Sequence, residues 1–217
     1  MESMLNNAKR ILSFDFGASN GRAILFRLEN GCLQQQQEEH RFENNPITIN
    51  NTLCWDIDSL TNNLFTGIQK AMQSGGFDAV GIDTWGVDFA LIGFNGKLVD
   101  LPVHYRDNRT EGIEKEVFKR ISPEELYSRC GTQYNCINTL YQLAYLSYNQ
   151  SDIIKRTDKI LMVADYFAYL LTGEMRLELT NVSTTNLLNP AVLMLLQVLL
   201  KPQQSGMRLS VLSEPTK

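Results

Sequence analysis

The sequence predicts a mixed α/β fold opening in the order β-β-β-α-β, and three observations carry that prediction. Two strand-like runs, Arg10–Phe14 and Arg22–Leu28, flank a glycine-bearing turn at Gly17–Gly21. Asn30-Gly31 then supplies the positive φ that a tight hairpin demands, so a third strand should fold back over Cys32–Phe42. From Asp58 the hydrophobic period changes from two to 3.6, and strand-like runs return after Gly75-Gly76. An antiparallel meander feeding an α/β crossover gives this pattern.

Each element has its local reason. Gln34–Gln37 make the third strand polar, which suits a sheet edge. Leu60, Leu64, Ile68 and Ala71/Met72 fall on one face of the helix that follows, and Gly75-Gly76 stops it. Ala79–Asp83 and Val87–Phe94 read as two apolar strands joined at Trp85-Gly86. A turn at Asn95-Gly96 and a further apolar run, Leu98–Val103, come next. The remainder is mainly helical. Ser122-Pro123-Glu124-Glu125 is a capping box with proline at the first helical position. Leu140–Tyr148 and Val163–Leu171 carry apolar faces, the second ending at Gly173, with the aromatics of Asp165–Tyr169 in the core. After Asn189-Pro190 come 27 residues with four charges and no aromatic, which predicts a short apolar helix and then coil.

Composition removes several function classes. A 217-residue chain that is 43% hydrophobic can bury a sizeable core. Its 20 Lys+Arg against 24 Asp+Glu leave no basic stretch to neutralise a nucleic-acid backbone. No apolar run approaches the roughly 20 residues a membrane span requires. The N-terminus has no secretory pattern, so a cytoplasmic protein with free thiols at Cys32, Cys54, Cys130 and Cys136 is expected. With His40 and His104 the only histidines, a His-rich metal site is excluded.

Three segments could carry chemistry. Asp15-Phe16-Gly17-Ala18-Ser19-Asn20-Gly21-Arg22 is a turn whose glycines let backbone amides converge on phosphate oxygens, with Asp15 placed to hold magnesium. A plain hairpin turn explains the same residues. Gly81-Ile82-Asp83-Thr84-Trp85-Gly86-Val87-Asp88 suits a polyol: carboxylates accept from hydroxyls, the indole offers an apolar plate, and Gly86 permits close approach. A bent strand pair with capping aspartates is the alternative, and a glycosidase-like acid pair of Asp83 and Asp88 is a weak third. His104-Tyr105-Arg106-Asp107-Asn108-Arg109-Thr110 can line a cleft, or can be a solvated loop with an Asp107–Arg109 ion pair.

The strings FDFGASNGR, TLCWDIDSL, GIDTWGVDFALI, LPVHYRDNRT, INTLYQLAYL, ADYFAYLLTGE and TNVSTTNLL follow in the order seen in rhamnulokinases. Between Ile11 and Asn189 the chain resembles the N-terminal half of that branch of the FGGY carbohydrate kinases. The resemblance implies an actin/hexokinase-like (ribonuclease H-like) ATPase lobe, with ATP and Mg2+ as cofactors and L-rhamnulose as the sugar. By its pattern Ala18, Ser19, Asn20, Gly21 and Arg22 match the ATP-phosphate loop, and Asp15 matches the acid near magnesium. Gly86 matches the substrate-contacting position, with Asp83, Asp88, Tyr105 and Arg106 in sugar-lining segments. Another FGGY kinase, for xylulose or fuculose, or a non-catalytic sugar- or nucleotide-binding remnant, is the competing reading.

Rhamnulokinases are longer, and place the catalytic aspartate in a His-Asp-Thr segment of a second lobe that does not occur here. The expectation is therefore a kinase N-terminal domain over residues 1–189, with no catalytic base of its own. Residues 190–217 read as an atypical tail from a truncation or frameshift, and the chain alone is expected to be inactive.

Overall fold

The computed structural model describes residues 9–189 and the backbone of residues 194–195. In chain order the elements are β1 (Lys9–Phe16), β2 (Asn20–Glu29), β3 (Cys32–Glu43), β4 (Ile47–Ile49), β5 (Thr52–Cys54), α1 (Ile57–Gln73), β6 (Ala79–Thr84) and β7 (Phe89–Gly93). There follow α2 (Glu114–Phe118), α3 (Pro123–Cys130), α4 (Thr139–Asn149), α5 (Ser151–Arg156), β8 (Thr157–Met162), α6 (Val163–Thr172), α7 (Leu179–Val182), β9 (Leu188–Asn189) and β10 (Met194–Leu195). They form two compact units, one from residues 9–45 and 56–85 and one from residues 46–55 and 86 onward.

The first unit is a four-stranded sheet in the order β3-β2-β1-β6, with β1–β2 and β2–β3 antiparallel and β1–β6 parallel. β3 lies at the edge, as its glutamines predict, and carries two register shifts against β2. Such irregularities discourage edge-to-edge pairing. Helix α1 makes the crossover. Asp56 caps it by accepting from Ser59 N at 2.9 Å, and the chain leaves it through Gly75 and Gly76, both at positive φ. Its buried face is Ile57, Leu60, Leu64, Gly67 and Ala71, while Met72 points outward. Gly67 sets the helix–sheet distance, since a Cβ there would sit 2.7 Å from the Phe14 ring and 2.9 Å from Ala23 Cβ.

The second unit is built on the antiparallel pair β7–β8 packed by helices, with Phe89, Leu91, Leu126, Leu140, Leu143 and Ile160 in its core. The Ser122 hydroxyl accepts from Glu125 N at 3.1 Å at the start of α3, with Pro123 next. Both α3 and α6 end on left-handed glycines, Gly131 and Gly173.

Four expectations need correction. β6 and β7 do not form a strand pair: β6 lies in the first unit's sheet and β7 pairs with β8, a strand the sequence reading missed because Thr157–Met162 adjoins helical apolar residues on both sides. Val87 is not strand, because its φ is +66°. Leu98–Val103 contributes only two isolated bridges, Ile92↔Leu98 and Cys54↔Val103. Met194–Leu195 pairs with β9 as strand where a helix was expected; the rest of the tail lies outside the described residues.

Candidate functional site

In the first unit the chain turns from β1 into β2 through Gly17, Ala18 and Ser19. Gly17 N donates to Asn20 O at 2.8 Å, closing the turn. Asn44, just past β3 and 3% exposed, holds it from behind: its N donates to Ser19 O at 3.0 Å and its Nδ2 to Gly17 O at 2.8 Å. Ser19 and Asn20 are exposed, and among the described residues the amides of Ala18 and Ser19 have no hydrogen-bond acceptor. Such a loop can receive an anion on backbone N–H groups.

The glycines serve this loop by packing. Neither has positive φ. A Cβ on Gly21 would lie 2.3 Å from the Phe42 ring, and one on Gly17 would lie 2.8 Å from Asn20 O. Asp15 and Arg22 face each other across β1–β2, with Arg22 Nε and NH2 both 3.0 Å from one carboxylate oxygen. Asp83 is exposed and is the in-register partner of Asp15 on β6, so these two acids stand side by side on the sheet. Carboxylate oxygens of this kind fit a magnesium ion, which uses one or two carboxylates and keeps water or phosphate in its other positions.

In the second unit Asp88 is the hub. Its carboxylate is buried and accepts from Trp55 Nε1 at 2.6 Å, Tyr105 N at 3.0 Å and Gln142 Nε2 at 2.8 Å. Burial pushes its carboxyl up to about 6, opposed by these three donors, which favour the charged form. His104 stacks on Trp55 at 3.9 Å, and its Nδ1 accepts from Arg106 N at 3.0 Å. Burial, with Arg106 nearby, lowers it to about 4, so the ring is neutral. Tyr105 is half-buried, and the exposed Arg106 lies over its ring at 5.3 Å.

Asp107 and Arg109 do not form the ion pair expected of a solvated loop. Asp107 caps the short turn at Arg109 N and accepts from Leu53 N at 2.8 Å, while the Arg109 guanidinium donates to Gln142 Oε1 at 2.9 Å. Arg109, Gln142, Asp88 and Trp55 thus form one chain of hydrogen bonds beneath the Tyr105 segment.

Above this network the chain makes a tight turn, in which Asp88 N donates to Gly86 O at 2.9 Å across Val87. Val87 lines an open cavity of about 680 Å³ with Thr132, Gln133, Asn135, Asn138 and Thr184. Its polar wall suits a polyhydroxylated ligand.

Of the residues singled out in the sequence, Asp15, Ala18–Arg22 and Asp83 belong to the first unit, and Gly86, Asp88, Tyr105 and Arg106 to the second. The sequence reading missed Asn44, Gln142 and Thr184. None of these carries a spacing signal. The only hint was the density of small polar residues in Thr180–Asn186.

This chain belongs to the FGGY family of carbohydrate kinases: residues 10–201 match the N-terminal domain of that family, running past the boundary expected at residue 189. It is 45% identical over 179 residues to a rhamnulokinase of Oceanobacillus iheyensis, covering 82% of this chain and 38% of that protein. Among solved structures it resembles the ligand-bound xylulose kinase of Lactobacillus acidophilus, with a TM-score of 0.81 and 20% identity over 96% of this chain and 43% of that one. It also resembles Plasmodium falciparum glycerol kinase with ADP, with a TM-score of 0.71 and 16% identity over 88% and 40%. The chain therefore spans about two fifths of the length of these relatives, and its fold is the actin/hexokinase-like ATPase lobe. No helix among the described residues is long and apolar enough to cross a membrane.

Proposed function

We propose that these residues form the N-terminal lobe of a cytoplasmic rhamnulokinase of rhamnose catabolism, which transfers the γ-phosphoryl group of ATP to L-rhamnulose to give ADP and L-rhamnulose 1-phosphate. The observation that carries the choice of sugar is the 45% identity to a rhamnulokinase, against 20% to the xylulose kinase of the same fold. Ala18–Arg22 receive phosphate oxygens on the exposed amides of the loop. Asp15, with Asp83 beside it, is the oxygen donor set for magnesium, which when bound neutralises phosphate charge. Gly86, Tyr105 and Arg106, with the polar cavity beside Val87, take the sugar.

Asp88 has another part in this reading. Its carboxylate already accepts three hydrogen bonds in the core, so it acts on the sugar by holding the Tyr105 backbone in place. The sugar-lining segment is then a pre-organised wall on a buried polar network.

Phosphoryl transfer depends on positioning and on charge stabilisation at the transferring group. Within residues 1–189, the proposed domain, Asp88 is occupied structurally and Asp15 is paired with Arg22. A polypeptide of these 217 residues alone is therefore expected to show no L-rhamnulose-dependent turnover.

The test is ADP release with magnesium-ATP and L-rhamnulose, from the 217-residue chain and from a chimera. The chimera carries residues 11–189 in place of the aligned part of the Oceanobacillus iheyensis rhamnulokinase. The chain should be silent and the chimera active on L-rhamnulose. A folded chimera that prefers D-xylulose or L-fuculose would overturn the substrate. Turnover by the chain alone would overturn the division of labour and make Asp83 the first candidate for the base.

A further inference from the structure

Among the described residues five non-glycines have positive φ: Asn30, Asn50, Asn51, Asn186 and Val87. Asparagine tolerates the left-handed region because its short side chain can bond locally, whereas a β-branched residue there is an outlier. Val87 is also the centre of the three-residue turn closed by Asp88 N to Gly86 O. Turns of this hand are rare, and such strain persists only where the surroundings over-determine it.

The surroundings here are specific. Val87 N donates to Thr184 Oγ1 at 3.1 Å, and the same hydroxyl donates onward to Asn181 O at 2.8 Å. On the other side Val87 O accepts from Thr139 Oγ1 at 2.6 Å and from Gln142 Nε2 at 3.4 Å. Thr184 comes this near because residue 86 has no side chain: a Cβ on Gly86 would lie 3.0 Å from both Thr184 Oγ1 and Cγ2. Val87 and Thr184 both line the polar cavity.

We infer that Thr184 is a positioning residue: its hydroxyl clamps Val87 in the strained turn and so fixes the wall of the cavity that takes the sugar. This rests on the proposed sugar reading. It also gives Gly86 a second reason to be glycine, namely room for the clamp.

The experiment is a double-variant cycle in the 217-residue chain, read by thermal melting and by calorimetric titration with L-rhamnulose. Thr184→Val keeps shape and removes both hydrogen bonds; Thr184→Ser keeps both; Thr184→Ala removes the hydroxyl a second way. Val87→Gly removes the strain and with it the need for a clamp. Thr184→Val should lower the melting temperature by about 3 °C and weaken L-rhamnulose about tenfold. Thr184→Ser should bind within about twofold of wild type. In the Val87→Gly background the Thr184→Val penalty should fall by more than half in both readouts.

Equal penalties in the two backgrounds would overturn the clamp. Unchanged sugar binding in folded Thr184→Val and Thr184→Ala would overturn the positioning role. Absence of any L-rhamnulose binding to wild type would overturn the sugar reading and the positioning role with it, while the melting cycle still reports on the clamp separately.

Discussion

The Gly17–Arg22 loop of the first unit and the Gly86–Arg109 region of the second are built on opposite plans. The loop is a local object, in which Asp15 meets Arg22 through strand register and Asn44, just past β3, holds the turn. Its ionic pair is about half exposed on both sides. The second region gathers Trp55, Gln142 and Thr184 around Asp88 and Val87, from positions up to 97 residues apart. There the polar groups are buried and mutually satisfied. An exposed pair contributes little and is screened by salt, whereas a buried network fails when one member is lost. One region is therefore tunable by its surface charge and the other is rigid by construction.

The sharpest way to break that contrast is to make the same change in both. Asp88→Asn turns one acceptor oxygen into an amide donor facing donors. Gln142 can flip to accept from it only by turning its own Nε2 toward Arg109, so a donor–donor clash survives either way. A loss of about 3–4 kcal/mol in denaturant unfolding is expected. Asp15→Asn should cost under about 1 kcal/mol. Similar losses would erase the distinction.

Next in size is Gly21→Ala, which drives a methyl into the Phe42 ring. Overpacking of this kind costs about 1–3 kcal/mol, while Gly81→Ala, on β6 of the same sheet with nothing within 4 Å of the added carbon, is the control. A neutral Gly21→Ala would restore the view that this glycine exists for the ligand.

A smaller effect separates the groups inside the buried region. His104, held at about 4, makes the fold lose stability as pH drops from its unfolded value near 6.5, because the unfolded chain takes the proton first. Asp88, raised to about 6, acts with opposite sign over about 6 to 4, since there the folded state keeps the extra proton. His104→Asn preserves an acceptor for Arg106 N and removes the first slope. Its melting temperature relative to wild type should therefore rise steadily as pH is lowered from 6.5 to 4. A flat difference would mean that His104 is protonated in the fold.

The smallest effect belongs to Arg22→Ala. It should change stability by less than about 1 kcal/mol, and by less still in high salt. A large salt-independent loss would show that the Asp15 pair is structural.

How much of this was readable beforehand follows from the same contrast. The β-β-β-α-β start, the edge character of β3, the helix beginning near Asp58 and the capping box at Ser122 depend on neighbours in sequence, and all were legible. The strand β8 was not, because a short apolar run beside helices has no period of its own. The separation of Asp83 from Asp88 into different units was hidden for a related reason. Six residues that alternate in type look like one strand bend until pairing partners are known. The donors that fill Asp88 were not legible because they lie 17, 33 and 54 positions away, and Thr184 was one hydroxyl among several in a polar segment with no pattern to single it out.

The central claim assigns nucleotide to the first unit and sugar to the second, and backbone NMR of the 217-residue chain tests it most directly. Separate titrations with magnesium-ATP and with L-rhamnulose should move different amides. The nucleotide should shift Gly17–Arg22, and the sugar should shift Gly86–Asp88, Tyr105, the 132–138 loop and Thr184. Nucleotide shifts in the second set, or saturating L-rhamnulose that moves none of those residues, would contradict it.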